Sequence, residues 1–151
     1  MRSLVLLLFL AGCDGAMPER TESPRPRPAV QTATLTGLYE SGPSRLCIVE
    51  AAGAARFGLV VRRGADSGCS GAGVAARRGD RLRLTMAGEA ACAIDARLDG
   101  AALTFPARVP PGCAYYCAPD AGLAGAAFAK TGGAEADALR ARDLVGDPLC
   151  G

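Results

Sequence analysis

Short segments in which apolar and polar residues alternate recur along the chain after residue 34, and turns that contain glycine separate most of them. Alternation with a period of two is typical of antiparallel strands that bury one face. The predicted strands are Leu35–Glu40, Arg45–Glu50, Ala55–Arg62, Arg81–Met86, Cys92–Leu98, Ala101–Arg108 and Gly122–Lys130.

The lengths of three turns predict which residues face one another. A two-residue turn at Asp99-Gly100 predicts that Leu98 faces Ala101, Ala96 faces Leu103 and Ile94 faces Phe105. A three-residue turn at Gly88–Ala90 predicts that Leu82 faces Ala96, Leu84 faces Ile94 and Met86 faces Cys92. A two-residue turn at Ala52-Gly53 predicts that Ile48 faces Phe57 and Leu46 faces Leu59. Apolar residues then share one face, and the other face carries Arg81, Arg83, Asp95 and Arg97, with Arg83 opposite Asp95.

The C-terminal part has the spacing of a helix. Ala134–Val145 is the predicted helix, with Ala134, Ala138, Ala141 and Val145 on one side, Gly146 as its stop and Pro148 beyond. The predicted fold is therefore mainly β: a small antiparallel meander, closed as a barrel or stacked as a sandwich, with a C-terminal helix and disulfide staples.

The first residues have the features of an export signal. Arg2 precedes the apolar run of residues 4–10, which is far shorter than the roughly 20 residues of a membrane-spanning helix. Leu10-Ala11-Gly12-Cys13 resembles the lipobox of bacterial lipoproteins. The resemblance implies cleavage before Cys13, lipid on Cys13 and a palmitate-bearing membrane anchor facing the periplasm or the exterior. A secretory signal with a chance cysteine is the alternative, and the choice between inner and outer membrane stays open.

Residues 13–33 are rich in proline and arginine, with four prolines alternating with charged residues: Pro18, Pro24, Pro26 and Pro28. Such a segment buries little apolar surface, so we expect a disordered tether. The domains predicted are a signal peptide at 1–12, the tether at 13–33 and one β-rich domain at 34–151.

The charge balance gives no indication of nucleic-acid binding. The chain has 17 basic and 15 acidic residues, and a nucleic-acid partner would favour a strong basic excess. No histidine is present, which removes the usual general base and the commonest metal ligand. We therefore expect a non-catalytic protein with no cofactor and no metal.

Seven cysteines are present, and six remain if Cys13 carries lipid. An even number in a small exported domain indicates a disulfide framework. Six cysteines allow 15 pairings; the pairing that links neighbours along a meander is Cys47 with Cys69, Cys92 with Cys113 and Cys117 with Cys150.

The most distinctive motif is Cys113-Ala114-Tyr115-Tyr116-Cys117, between prolines. Redox pairs normally have two intervening residues at a helix start, and this pair has three, so structural disulfides are favoured over a thiol-disulfide role or a metal site. In an extended segment Tyr115 and Tyr116 would lie on opposite faces, one buried and one exposed. The exposed tyrosine is a candidate for binding.

Three other motifs are weak. Gly68–Ala72 only partly matches a serine-hydrolase elbow, Gly71–Ala76 loosely matches a dinucleotide fingerprint, and Arg78-Gly79-Asp80 spells an adhesion tripeptide. We interpret residues 71–76 as a flexible loop beside a disulfide and Gly79-Asp80 as a turn. A glycosidase carboxylate pair would have to come from Glu40, Glu50, Glu89, Asp95 and Asp99, which mostly lie at strand ends and turns.

The sequence thus favours a membrane-anchored cell-envelope lipoprotein that binds an unidentified protein, glycan or small ligand. Two alternatives remain. In its anchor, size and predicted barrel the chain looks like membrane-anchored lysozyme inhibitors, which implies inhibition of an envelope-attacking hydrolase. The other alternative is a thiol-disulfide protein that acts through Cys113 and Cys117.

Overall fold

The computed structural model describes residues 33–88 and 90–151. Within them the protein is mainly β, and eight antiparallel strands in sequence order form a closed barrel. The predicted signal peptide, Cys13 and most of the predicted tether lie outside the described residues, as does Glu89. The strands are β1 (Gly37–Ser41), β2 (Ser44–Ala51), β3 (Ala54–Arg63), β4 (Ser67–Arg78), β5 (Arg81–Met86), β6 (Ala93–Asp99), β7 (Ala102–Thr104) and β8 (Ala127–Gly132). A 3₁₀ helix covers Pro111–Tyr116, and one short helix, α1, covers Glu135–Leu139.

Two predicted hairpins are confirmed residue by residue. Ile48 faces Phe57 and Leu46 faces Leu59 across β2 and β3. Leu82 faces Ala96, Leu84 faces Ile94 and Arg83 faces Asp95 across β5 and β6. In both hairpins the number of turn residues and the apolar alternation agree, and this agreement fixes the register.

The predicted pairing of β6 with β7 is wrong, because the two-residue turn lies one residue later in the chain than predicted. Leu98 faces Leu103 and Asp99 faces Ala102, so Gly100 and Ala101 form the turn. Gly100 has a φ of 58°, the left-handed conformation that glycine adopts at low cost. The shift pairs two buried leucines and leaves Ala101 exposed. The strand predicted at 101–108 shortens to β7, and the strand predicted at 122–130 begins only at Ala127 and continues to Gly132 as β8.

The longest strand, β4, is where a flexible loop was expected, and that prediction is wrong. Its inward positions carry very small residues because neighbouring groups come close to the backbone. A Cβ on Gly73 would lie 2.0 Å from the Thr85 carbonyl oxygen, and one on Gly71 would lie 2.2 Å from Cε of Met86. Glycine in a strand is typical of such close approach, and it removes the apolar alternation that would have revealed the strand.

The barrel interior is filled by side chains from all eight strands. Among the largest fully buried side chains are Tyr39, Phe57, Phe105, Leu46, Ile48, Leu59, Leu82, Leu84, Ile94 and Leu103. Because successive strands run in opposite directions, the turns at 51–54, 78–81 and 99–102 lie at the end where β1 begins. We call this the near end. The opposite end, which carries the 3₁₀ helix, is the far end.

A second apolar cluster lies outside the barrel, where the C-terminal segment packs on β1, β2 and β3. It consists of Leu38, Cys47, Val49, Val60, Ala138, Ala141, Leu149 and Cys150. The predicted burial of Ala138 and Ala141 is confirmed, but Ala134 and Val145, which were placed on the same side, are exposed, Val145 to 82%.

The predicted C-terminal helix is too long, since α1 ends at Leu139. Beyond it, one oxygen of the Asp143 carboxylate accepts hydrogen bonds from the backbone N–H groups of Val145 (2.9 Å) and Asp147 (2.8 Å). A short acidic side chain that bonds its own backbone competes with helical hydrogen bonds. The chain therefore turns back, and Cys150 reaches the barrel wall.

All six cysteines of the described residues form disulfides, which join Cys47 to Cys150, Cys69 to Cys117 and Cys92 to Cys113. The predicted pair Cys92 with Cys113 is confirmed. The predicted pairs Cys47 with Cys69 and Cys117 with Cys150 are wrong. Pairing of neighbours along the chain fails because the closed barrel brings the C-terminal segment back to β2 and the far-end loop back to β4.

Candidate functional site

A loop stapled by two disulfides closes the far end of the barrel. Pro110 and Pro111 lead into the 3₁₀ helix, whose turn is closed by a hydrogen bond from the Cys113 N–H to the Pro110 carbonyl (3.0 Å). Cys113 is bonded to Cys92 at the end of one hairpin, and Cys117 is bonded to Cys69 in β4. The helix is thereby held at Cys113 within it and at Cys117 directly after it.

The two tyrosines of this helix have different environments. The Tyr116 hydroxyl donates to the carbonyls of Ala87 (3.1 Å) and Ala90 (3.2 Å), so the half-buried ring seals the barrel end. Gly88 leaves room for this hydroxyl, since a Cβ there would lie 2.8 Å from it. Tyr115 is 70% exposed and packs edge-on against Tyr116, with ring centroids 5.2 Å apart. The expected difference in burial is present, but it arises on a 3₁₀ helix rather than on an extended strand.

Two shallow grooves meet beside the 3₁₀ helix at Pro110. An apolar groove of about 230 Å³ is bounded by Val109, Pro110, Pro111, Cys113, Ala114, Cys117 and residues 121–124. A larger groove of about 530 Å³ is bounded by Arg83, Thr85, Met86, Gly88, residues 90–93, Asp95 and Pro110. Tyr115 and these two grooves together form what we call the tyrosine surface.

Polar contacts fix the loop that returns from the 3₁₀ helix. The Ala118 N–H donates to the Gly68 carbonyl at 2.9 Å, next to the Cys69–Cys117 disulfide. The Ser67 hydroxyl donates to the Asp120 carboxylate, and this hydrogen bond lowers the pKa of Asp120. The tyrosine surface is thus built on a backbone that β4 holds in place.

The near end is closed in another way, by residues 33–36 folded across it. One carboxylate oxygen of Glu50 accepts hydrogen bonds from the N–H of Leu35 (2.8 Å), the N–H of Thr36 (3.1 Å) and the Thr34 hydroxyl. Partial burial alone would raise the pKa of Glu50, but these hydrogen bonds outweigh it and lower the pKa. No sequence pattern indicated this role, because Glu50 is 14–16 residues from its partners.

Two cations also hold the near-end segment. Arg77 Nη1 donates to the Ala33 carbonyl at 2.8 Å, and Lys130 Nζ donates to the Thr34 carbonyl at 2.7 Å. Lys130 lies 5.5 Å from the ring centroid of Tyr39, and burial lowers the pKa of this lysine. Burial, reinforced by the charge of Glu50, raises the pKa of Tyr39 to about 12, and its hydroxyl donates to the Leu35 carbonyl.

The other sequence candidates are dispersed. Cys113 and Cys117 belong to different disulfides, so they are not a redox pair with each other. Glu40 pairs with Arg45 at 3.0 Å and Asp95 with Arg83 at 2.9 Å, while Glu50 holds the near-end segment. Asp99 lies on the barrel wall beside the turn at Gly100. No group of three potential metal ligands occurs within residues 33–88 and 90–151.

Comparison with known family models, with curated proteins and with solved structures found no match. Within the described part of the chain, no helix has the length and apolar character needed to cross a membrane.

Proposed function

We propose that the protein is an exported, lipid-anchored component of the bacterial cell envelope that captures a partner protein through the tyrosine surface, without catalysing a reaction. Support for the anchor comes from the sequence: an apolar run of suitable length precedes Leu10-Ala11-Gly12-Cys13, the four residues that resemble a lipobox. Support for binding comes from the far end of the barrel.

The observation that carries the binding proposal is the exposed Tyr115 ring on a helix fixed by disulfides at Cys113 and Cys117, on either side of Tyr115. Tyrosine is enriched among the few residues that supply most of the binding energy of protein interfaces. Because the helix that carries Tyr115 is held rigidly by disulfides, less conformational entropy is lost when a partner binds. The barrel interior is filled by side chains, which favours a binding site on the outside.

The anchor is tested by metabolic labelling with a fatty-acid probe in the bacterium that makes the protein. We expect label on the wild type and none on Cys13→Ala, which should also leave the membrane fraction or remain unprocessed. Equal labelling of the two proteins would contradict lipidation at Cys13.

Binding is tested by replacing Tyr115 with a photo-crosslinking amino acid in the intact envelope. Val145 is a matched control position, because it is also apolar and is 82% exposed, yet it lies on the C-terminal segment. We expect one discrete adduct from position 115 that is absent from position 145. No adduct, or the same adducts from both positions, would contradict the tyrosine surface as a binding site.

The second candidate function is inhibition of a hydrolase that attacks the envelope, such as lysozyme. The doubly stapled helix favours it, since a rigid loop that presents one prominent side chain suits insertion into a preformed cleft. Titration of lysozyme with the purified protein should then lower its activity stoichiometrically, and Tyr115→Ala should relieve the inhibition. Unchanged lysozyme activity at saturating protein would exclude lysozyme as the target.

A further inference from the structure

Three arginines lie in one row across adjacent strands on the outer wall of the barrel. Arg78 faces Arg81 across β4 and β5, and Arg81 faces Arg97 across β5 and β6. All three side chains are exposed, and none forms an ion pair or side-chain hydrogen bond with any residue in the described ranges. Like charges directly opposite one another destabilise a sheet. We call this set the arginine row.

In the neighbouring row on the same wall, by contrast, an arginine is neutralised by an ion pair. There Arg83 faces Asp95 and makes two hydrogen bonds to its carboxylate, at 2.9 and 3.0 Å. Three acids lie near the arginine row: Asp80 in the β4–β5 turn, Asp99 at the end of β6, and Asp95, which borders the same surface groove as Arg81 and Arg97 but pairs with Arg83. None of the three forms an ion pair with the row. The row therefore keeps its positive charges available to an external anion.

The arginine row lies at the near end, where the chain arrives from Cys13. Arg78 and Arg81 flank the turn between β4 and β5, next to Arg77, which holds the Ala33 carbonyl. Twenty residues separate Cys13 from Ala33, and a chain of this length spans at most about 70 Å. A lipid on Cys13 would thus tether this end of the barrel within reach of the bilayer surface.

We propose that the arginine row binds anionic phospholipid headgroups, so that the barrel rests on the membrane with its near end down and the tyrosine surface pointing away. Guanidinium groups make paired hydrogen bonds to phosphate oxygens. Each arginine near an anionic bilayer strengthens the association about fivefold, within a Debye length of roughly 10 Å. This inference rests on the proposed lipid anchor, which keeps the barrel near the bilayer so that the row can come within the range of this attraction.

The chain has no tryptophan, so one introduced tryptophan reports on one place in the molecule. Ala101→Trp puts it in a near-end turn, and Tyr115→Trp puts it on the tyrosine surface. The full protein, purified from membranes, is reconstituted in phosphatidylcholine vesicles with or without phosphatidylglycerol, and a brominated phosphatidylcholine serves as quencher. We expect quenching of Ala101→Trp only when phosphatidylglycerol is present, and little quenching of Tyr115→Trp in either case. Ala52→Trp, in another near-end turn, replaces Ala101→Trp should that variant fail to fold.

The row itself is tested in the Ala101→Trp background by Arg78→Gln/Arg81→Gln/Arg97→Gln. The control, Arg62→Gln/Arg63→Gln/Arg108→Gln, removes the same charge from other places. We expect the first triple variant to need at least about tenfold more phosphatidylglycerol for half-maximal quenching, and the control to behave like the parent. Equal quenching at both ends of the barrel, or no difference between the two triple variants, would overturn the proposal.

The experiments distinguish the two proposals, which are phospholipid binding by the arginine row and lipidation at Cys13. Fatty-acid labelling and flotation with neutral vesicles report the anchor alone, because neither depends on anionic lipid. A labelled protein whose quenching does not depend on phosphatidylglycerol would refute phospholipid binding by the arginine row and would still support lipidation at Cys13. An unlabelled protein whose quenching still depends on phosphatidylglycerol and on the three arginines would support phospholipid binding by the row and would refute lipidation at Cys13.

Discussion

At the far end of the barrel two disulfides join the closing loop to β4 and to the β5–β6 hairpin, whereas at the near end residues 33–36 are held by a carboxylate, an arginine and a lysine. Covalent closure is indifferent to pH and salt, while closure by charged hydrogen bonds responds to both. The far end therefore has the rigidity expected of a recognition surface. The near end has the ionic character expected of a contact with a charged surface.

The largest effects are expected from removing disulfides, and at the far end the variant is Cys69→Ala/Cys117→Ala. The disulfide closes a loop of 48 residues, and its removal should lower the free energy of unfolding by about 4 kcal/mol. Denaturant unfolding measures this change, and the position-115 adduct should disappear with it.

A matched control for that variant is Cys47→Ala/Cys150→Ala, which opens the disulfide outside the barrel. It should also lower stability, by about 5 kcal/mol, but it should preserve the adduct because the far end stays closed. Loss of the adduct in both variants to the same extent would remove the distinction between the far end and the rest of the fold. Thiol counting on denatured, unreduced protein should find almost no free thiol in the wild type.

The next largest effect is expected at the near end, from Glu50→Gln. Hydrogen bonds to a charged, partly exposed carboxylate should contribute about 1.5 kcal/mol at neutral pH. Because the pKa of Glu50 is lowered in the folded protein, this stabilisation is present above the unfolded pKa and is lost as the pH falls through the folded pKa. The difference between the thermal unfolding midpoints of wild type and variant should therefore begin to shrink near the ordinary glutamate pKa of about 4.3, and it should vanish below the lowered folded pKa.

Glu135→Gln is the control for the near-end comparison, since Glu135 is exposed and has no side-chain hydrogen bond with the described residues. It should leave the midpoint unchanged across the pH range. A gap between wild type and Glu50→Gln that stays constant down to low pH would contradict ionic closure of the near end.

A smaller loss of stability is expected when the hydroxyl of Tyr116 is removed, and none when that of Tyr115 is removed. Tyr116→Phe removes a hydroxyl that donates to two carbonyls, and should lower the unfolding free energy by about 1 kcal/mol. Tyr115→Phe should leave stability unchanged, because this exposed side chain forms no side-chain hydrogen bond with the described residues. Chemical denaturation distinguishes the two variants, and equal losses would mean that both rings close the barrel.

The smallest effect is expected on the wall between the two ends, from Arg83→Gln. The pair with Asp95 is exposed on both sides, so its removal should lower stability by about 0.5 kcal/mol at low salt and less at high salt. A loss as large as that of Glu50→Gln would show that ionic contacts matter equally along the whole barrel.

The sequence predicted the pairing of two hairpins, as at Leu82 opposite Ala96 and Leu46 opposite Leu59. It failed at the Asp99-Gly100 turn, where an alternation with a period of two fits the observed turn as well as the predicted one. It failed at β4, where packing against Met86 and Thr85 requires glycine and so removes the alternation. It also failed at the C-terminal helix, because the hydrogen bonds of Asp143 carry no periodic signature.

The candidate site was predictable only in part. The composition around Cys113 and Cys117 marked the loop that carries Tyr115, since prolines, cysteines and aromatic residues concentrate there. The disulfide partners and the Glu50 contacts were not predictable, because they join segments that closure of the barrel brings together. Two members of the arginine row, Arg81 and Arg97, were predicted on the outward face, whereas Arg78 was not, because β4 was expected to be a loop. The row's lack of partners depends on three-dimensional distances.

The disulfide connectivity also has a consequence for biogenesis. On the proposed export route the chain crosses the membrane with its N-terminus first, so Cys47 and Cys69 are the first two thiols of the barrel to meet the oxidising compartment. Their native partners are the late-arriving Cys150 and Cys117, 103 and 48 residues further along. Oxidation in order of arrival would join Cys47 to Cys69 and trap a non-native intermediate. Efficient maturation therefore calls for a disulfide isomerase that reshuffles this first bond by thiolate exchange once the C-terminus has arrived.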